Sequence, residues 1–306
     1  MEKRTFGRTG LDVSVLGFGG APIGVLETAQ DDVDRVLGLL LDHGVNLVDT
    51  AAGYRGSEEA IGRSIGTRRD EFVLVSKCGQ AFDDLPGDPW SEEVITATVD
   101  RSLARLQTEY LDVMLLHTCD LEVLERGEAL GALVRARDAG KVRFVGYSGD
   151  NQTGAVAAAL DDVAVVQTSV NICDQVNIDQ VLPVAGDHGV GVIVKRPIAN
   201  AAWKDLNDQP GFYAQYAETY TERLALMAIG PEDIGFEESD WAEVALRFTL
   251  SCDVHTAIIG TTNPDHVRAN IEAAAKGPLP EQAIEQLREA FVEAVADSGE
   301  EWPGLT

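Results

Sequence analysis

Eight short apolar runs, each followed by a stretch with helical spacing, organise the 306-residue sequence. The second run, Val45-Asn46-Leu47-Val48, is apolar at nearly every position, as a strand covered on both faces must be, and it stops at Asp49. Tyr54 follows after the small turn Thr50-Ala51-Ala52-Gly53. Two further runs end in the same manner: Phe72-Val73-Leu74-Val75-Ser76 meets Lys77, and Val113-Met114-Leu115-Leu116 meets His117. In a barrel of parallel strands the C-terminal strand ends converge on one mouth. A carboxylate, a phenol, an ammonium and an imidazole would meet there.

The rest of the chain fits that frame. Residues 3–17 alternate on either side of Arg8-Thr9-Gly10, which predicts a hairpin whose second arm continues into a strand. Placed ahead of the repeating units, it predicts a plug under the barrel floor. Helical spacing is expected near 30–42, after Ser57-Glu58-Glu59, from a cap at Ser91 to about Leu106, and then near 121–139, 152–160, 178–188 and 240–250. Another helix is expected from Pro264, and a closing one lies near 280–296. The remaining strands are 142–147 ending at Ser148, 163–167, 190–194 ending at Lys195-Arg196-Pro197, and 256–259. The count predicts an α/β fold, a (β/α)8 TIM barrel with an N-terminal β-hairpin plug and an extra C-terminal helix, forming one domain over residues 1–306. Residues 199–238 are too long for an ordinary loop and carry Trp203, Phe212, Tyr213, Tyr216 and Tyr220.

Charge narrows the partners. Fifty-one acidic residues against 24 basic ones give a net charge of −27 and a pI near 4.4, and six of those cations are lysine. Nucleic acid is excluded as a partner, since a phosphate backbone needs a basic face. A uniformly acidic, lysine-poor surface is expected of a halophilic source, where concentrated salt screens self-repulsion. No run has the length of a bilayer span and no apolar signal region opens the chain, so a cytoplasmic protein without a membrane partner is expected. Cys78, Cys119, Cys173 and Cys252 show no metal-ligand spacing, and of five histidines only His117 ends a strand at the mouth, so no metal is expected.

Six stretches occur in order: GRTGLDVSVLGFGG, NLVDTAAGY with SEEAIGRSI behind it, FVLVSKCG, a Tyr-Leu-Asp leading into LLH, GKVRFVGYS, and IIGTTNPDHVRANI. Over about residues 3–275 the chain resembles the aldo-keto reductase superfamily. The resemblance implies an NAD(P)H-dependent oxidoreductase that interconverts an aldehyde or ketone, sugars included, and the alcohol. Its catalytic residues would be Tyr54, Asp49, Lys77 and His117. The chemistry agrees with that set. A phenol near pKa 10 is too weak an acid for easy two-way proton transfer at neutral pH. An ammonium about 4 Å away, at an effective dielectric near 20, favours phenolate by roughly 4 kcal/mol, or about three pKa units. Lys77 would supply that charge to Tyr54, Asp49 would hold Lys77 charged, and His117 would donate to the carbonyl oxygen.

The resemblance also implies that Ser148 and Gln167 bind the nicotinamide carboxamide. Gly149 replaces an asparagine common in the family, and Lys195 with Arg196 stand where an aromatic residue commonly stacks, so either one of these cations faces the cofactor phosphates or the nicotinamide ring leans on another group. Gly260, Thr261, Thr262, Arg268 and Asn270 match the segment that grips the adenosine end, at a helix N-terminus suited to phosphate. Thr262 and His266 are not the cations that would mark a 2′-phosphate, and Arg268 is the nearest one. NADP is expected ahead of NAD. The substrate pocket is expected to use Ile23 beside Pro22, Phe82, Trp90 and the aromatic insert from Trp203 to Tyr220. The alternative is a cofactor-binding sensor or partner-binding protein, related to channel β subunits, without significant turnover. Oligomeric state is left open.

Overall fold

Two strands, β1 (Lys3–Thr5) and β2 (Asp12–Ser14), pair antiparallel ahead of the barrel. Eight parallel strands follow: β3 (Leu16–Gly19), β4 (Leu47–Asp49), β5 (Val73–Cys78), β6 (Leu111–His117), β7 (Val142–Ser148), β8 (Val163–Ser169), β9 (Gly191–Lys195) and β10 (Thr256–Ile259). In the computed structural model, which describes residues 1–209 and 211–305, they close in the order β10-β3-β4-β5-β6-β7-β8-β9. The (β/α)8 barrel and its N-terminal hairpin are therefore as the sequence predicts.

Strand side chains alternate between the two faces, and both faces here are apolar for different reasons. Leu47, Val75, Leu115, Val165 and Ile193 fill the barrel interior together with Phe6 and Val13 from the hairpin. The outward residues pack under the helices in a larger cluster, joined by Val33, Val36, Leu37, Leu40 and Leu41 of the helix Gln30–Asp42. Phe6 is fully buried and meets the His255 ring edge-on at 5.8 Å. The hairpin turn presses on the start of β9: Gly7 has φ +51°, and a Cβ there would lie 2.4 Å from the Gly191 nitrogen. Only glycine fits so close an approach in the left-handed region. The hairpin thus plugs the floor and leaves the opposite end open.

Several boundaries differ from the sequence reading, each for a local reason. The helix expected near 121–139 is two helices, Leu121–Arg126 and Glu128–Asp138, because Gly127 turns left-handed at φ +73° between them. The helix expected near 178–188 also divides, into Val176–Gln180 and Leu182–Asp187, with Pro183 in the first turn of the second. Ser57 does not cap its helix from solvent. Gly56 takes the cap position, and the buried Ser57 hydroxyl bonds Gly20 O and Thr50 Oγ1, both at 2.9 Å. Glu58 behind it is buried and accepts from Ser76 Oγ at 2.7 Å. This helix is stitched to β4 and β5 at the mouth. The long excursion after β9 contains the helix Gly211–Met227, and the closing helix runs Glu281–Ser298.

Replacing Phe6 by alanine should cost about 3–5 kcal/mol of unfolding free energy in urea titrations, the usual range for a buried phenylalanine. A loss below about 1 kcal/mol would mean that the hairpin does not plug the barrel.

Candidate active site

The period of two places the site. Asp49, Lys77, His117, Gln167 and Lys195 each stand two positions beyond an inward-facing residue, respectively Leu47, Val75, Leu115, Val165 and Ile193. They continue the same inner face one step higher, where hydrophobic packing ends and the mouth begins. Lys77 Nζ donates to Asp49 Oδ1 at 2.8 Å, Asp49 Oδ2 at 2.7 Å and Thr50 O at 2.8 Å. Both partners of this ion pair are 2% exposed. Tyr54 rides on the turn after β4, held by its backbone N–H to Ala51 O, while Ala52 N bonds Lys77 O at 3.2 Å. The Tyr54 and His117 rings stand edge to face, 5.9 Å apart at 85°. Lys77 Nζ lies 5.1 Å from the centre of the Tyr54 ring.

Burial and charge pull these groups in opposite directions. Burial is the largest influence on Lys77 and works against its ammonium, but Asp49 and Tyr54 outweigh it and hold the lysine above its ordinary pKa. For Asp49 burial raises the pKa, with Lys77 and Gln167 recovering part of the shift. Burial also pushes the Tyr54 phenol above the ordinary tyrosine value, against the pull of Lys77. That direction is opposite to the sequence-based expectation, because burial of the phenol, with the Asp49 charge behind it, outweighs the attraction of Lys77 and Arg196 for the phenolate. His117 is held down to about 3 by burial and by the charges of Lys77 and Lys195, so its imidazole is neutral near pH 7.

On the cofactor side, Ser148 Oγ donates to Gln167 Oε1 at 3.2 Å, and Gln167 Nε2 donates to Asp49 Oδ1 at 2.8 Å. The proposed amide-binding pair is thereby wired to the ion pair. An asparagine at 149 could not fit beside the present Tyr147, because a Cβ there would come within 2.5 Å of its hydroxyl. Lys195 pairs with Asp150 at 2.7 Å, a partner that sequence reading missed. Burial opposes the Asp150 carboxylate, but Lys195 and the donors of Ser169 and Thr168 hold its pKa below the usual range. Arg196 has φ +58°, and its guanidinium faces Ser169 Oγ at 3.4 Å and the Leu305 carbonyl.

The segment expected to meet the adenosine end lies against the first strand of the barrel. A Cβ at Gly260 would meet Pro22 at 2.7 Å, so the backbone passes closely over the rim. Thr261, Val267 and Asn270 line a small cleft with Phe18. Behind them the helix Pro264–Ala275 presents its N-terminus, with Asn263 accepting from Asp265 N. Thr262 is half-buried beside Thr261. Arg268 is exposed and bonded to Asp265 at 3.0 Å.

The expected substrate residues divide. Ile23 is buried under the rim. Phe82 lies beside the Tyr54 turn, with its ring 3.5 Å from where a Gly53 Cβ would be, and Arg101 covers it at 4.7 Å. Trp90 rests directly on Gly79, where a Cβ would sit 1.9 Å from its ring. Trp203 instead stacks on Trp241 at 5.7 Å and 11°, and Tyr220 is fully buried with its hydroxyl bonded to Asp174 at 2.9 Å. These two aromatics of the insert are spent on packing. The side chains of Phe212, Tyr213 and Tyr216 lie outside the described residues.

Residues 15–291 match the model of the aldo/keto reductase family. L-galactose dehydrogenase of Arabidopsis thaliana is 26% identical over 97% of this chain and 95% of its own, and an uncharacterized oxidoreductase of Bacillus subtilis is 28% identical over 94% and 96%. Among solved structures, the holo form of an aldo-keto reductase from Bacillus halodurans superposes with a TM-score of 0.79 at 26% identity, covering 95% of this chain and 96% of that one. The chain belongs to the aldo/keto reductase family.

Two outcomes follow from the electrostatics. Asp49→Asn leaves Lys77 as an uncompensated buried charge and should cost about 3–5 kcal/mol of stability, most of which Asp49→Asn/Lys77→Met should restore. For His117 the folded pKa lies below the unfolded one, so its share of stability is complete above about pH 6.5 and is lost as pH falls toward about 3. Urea midpoints measured between pH 7 and pH 4 should therefore fall less steeply in His117→Gln than in the native chain.

Proposed function

Proceeding from membership of that family, we propose that the chain is an NADP-dependent oxidoreductase interconverting a carbonyl compound and its alcohol, with Tyr54 as general acid and base. The observation that carries this reading is the buried Lys77–Asp49 pair lying beneath the facing rings of Tyr54 and His117. A nicotinamide dinucleotide held along the mouth supplies or accepts the hydride. In reduction, the phenol of Tyr54 gives its proton to the carbonyl oxygen. The raised Tyr54 pKa keeps that proton in place at any physiological pH. The phenolate left behind is met by the Lys77 ammonium, which Asp49 and the Thr50 carbonyl hold in position. Neutral His117 donates an N–H to the same carbonyl oxygen and orients it.

Ser148 and Gln167 are the proposed carboxamide partners, supported by their direct link to Asp49. Lys195 and Arg196 are proposed to face the cofactor, and Gly260, Thr261, Thr262 and Asn270 to hold its adenosine end. Arg268 is assigned to the 2′-phosphate, for which Asp265 is a competitor. Ile23, Phe82 and Trp90 form the proposed apolar wall for the substrate. A sugar aldehyde or sugar alcohol belongs in the substrate class, since one relative carries the name L-galactose dehydrogenase.

Titration with NADPH and NADH separately, followed by nitrobenzaldehyde and a panel of aldoses, tests the reading. NADPH should bind and be oxidised on addition of a carbonyl, whereas tighter binding of NADH would transfer the assignment to NAD. Binding without turnover of any carbonyl would favour the sensor alternative. Tyr54→Phe should lose about two to four orders of magnitude in turnover while retaining cofactor affinity, and full activity would exclude Tyr54 as proton donor. The net charge of −27 predicts that the thermal midpoint rises between low and molar salt.

A further inference from the structure

The end of the chain returns to the mouth. Trp302 is buried in a cluster with Met227, Phe291 and Ala294, edge-on to Phe291 at 5.4 Å, and the Arg223 guanidinium lies 5.3 Å over its ring. Arg223 also donates to Pro303 O at 2.9 Å. Gly304 sits in a slot with no room for a side chain: a Cβ would meet Asn177 Nδ2 at 2.5 Å and Asn151 Oδ1 at 3.1 Å. Its backbone makes a reciprocal pair with the Asn151 amide, Gly304 N to Oδ1 at 2.7 Å and Nδ2 to Gly304 O at 2.9 Å. Leu305 N donates to the buried Asp174 carboxylate at 3.0 Å. Three donors then converge on one atom, the Leu305 carbonyl oxygen: Arg196 Nη1, Ser169 Oγ at 3.0 Å and Lys195 Nζ at 3.5 Å.

We infer that the segment Trp302–Leu305 is a positioning strap: docked in its slot, it seats Lys195 and Arg196 at the end of β9 in the arrangement that binds the cofactor. The inference rests on the proposed cofactor role of those two cations. The socket is built for a permanent occupant. Withdrawing the strap would take both Gly304 contacts from the Asn151 amide and one donor from the buried Asp174 carboxylate, which keeps the Tyr220 hydroxyl, in surroundings where a lost hydrogen bond is costly. The strap touches none of Asp49, Tyr54, Lys77 and His117 by hydrogen bond or ring contact among the described residues, so it acts on cofactor binding and not on the chemical step.

The test compares the full chain, a chain ending at Glu301, and Gly304→Val, which keeps Trp302 and serves should the shortened chain fail to fold. Cofactor dissociation constants are read by fluorescence titration, alongside thermal midpoint and steady-state kinetics. The expected result is a rise of about tenfold or more in cofactor Kd and KM, the scale of one lost charge-assisted hydrogen bond, with kcat at saturating cofactor within about threefold. A synthetic peptide of residues 301–306 should bind the shortened chain and restore its cofactor affinity. Arg196→Ala should weaken binding in the full chain but add little in the shortened one. Cofactor affinity unchanged within twofold, or tightened, on removal of the strap would overturn the inference. If the full chain binds neither NADPH nor NADH, the cofactor reading fails by itself. Peptide capture weakened by Arg196→Ala would then still support the seating, and capture indifferent to Arg196 would refute it.

Discussion

An ion pair with both members 2% exposed is the constraint around which the mouth is arranged. Taking an ammonium and a carboxylate out of water costs several kcal/mol per ion, which is recovered only when the geometry is good and the remaining hydrogen-bonding capacity is used. Lys77 meets that condition with three acceptors, and Asp49 with two contacts from Lys77 and one from Gln167. None of this geometry is local. Asp49 pairs in register with Val75, two residues before Lys77, and the Gln167 amide arrives from the far side of the closed barrel. Barrel closure is what makes the pair tolerable. The interest of the pair lies in where it leaves one held positive charge.

Above that charge stand two groups that burial drives to their neutral forms. Desolvation raises the phenol of Tyr54 and lowers the imidazole of His117, one being neutral when protonated and the other when deprotonated. The result is two uncharged N–H or O–H donors side by side above a cation. Such an arrangement offers hydrogen bonds to a neutral oxygen and resists repelling it. In the proposed reaction, negative charge that appears later, on that oxygen or on the phenolate, would be met by Lys77. The mouth is thus arranged for charge that develops, and the resting state carries little of it.

The fold was legible because its signals are periodic. Leu47 and Asp49, Val75 and Lys77, Leu115 and His117 obey the same alternation, which fixes both the inner face and the last side chain on it. Irregularities followed local chemistry that periodicity does not contain: Gly127 and Pro183 divide helices whose apolar spacing runs on across them. The partners of Lys195 and Arg196 were less accessible. Asp150 lies just past a strand end that invited attention to Ser148. The Leu305 carbonyl is 109 residues from Arg196 and offers only a backbone atom, which no residue type advertises. The downward shift expected for Tyr54 weighed only the charge of Lys77, and the burial of the phenol and the nearness of Asp49 that outweigh it could be seen only in the structure.

The distribution of lysine joins these observations. The chain carries a net charge of −27 and holds only six lysines, yet two of them stand at the mouth ends of strands on opposite sides of the barrel, each paired to an aspartate at 2.7 Å. On an acidic exterior a lysine adds little, since exposed pairs contribute under about 1 kcal/mol and are screened by salt. Inside the mouth the same residue is shielded from salt and held by its partner: at Lys77 Asp49 and Tyr54 outweigh burial, whereas at Lys195 burial outweighs Asp150 and lowers the pKa. Arg196 adds a third cation next to Lys195. The dinucleotide proposed as cofactor would meet a repulsive exterior and then a mouth in which Lys77 and Lys195 are held by buried carboxylates. Selection on the surface for negative charge and on the mouth for positive charge can therefore coexist, because burial decouples the two.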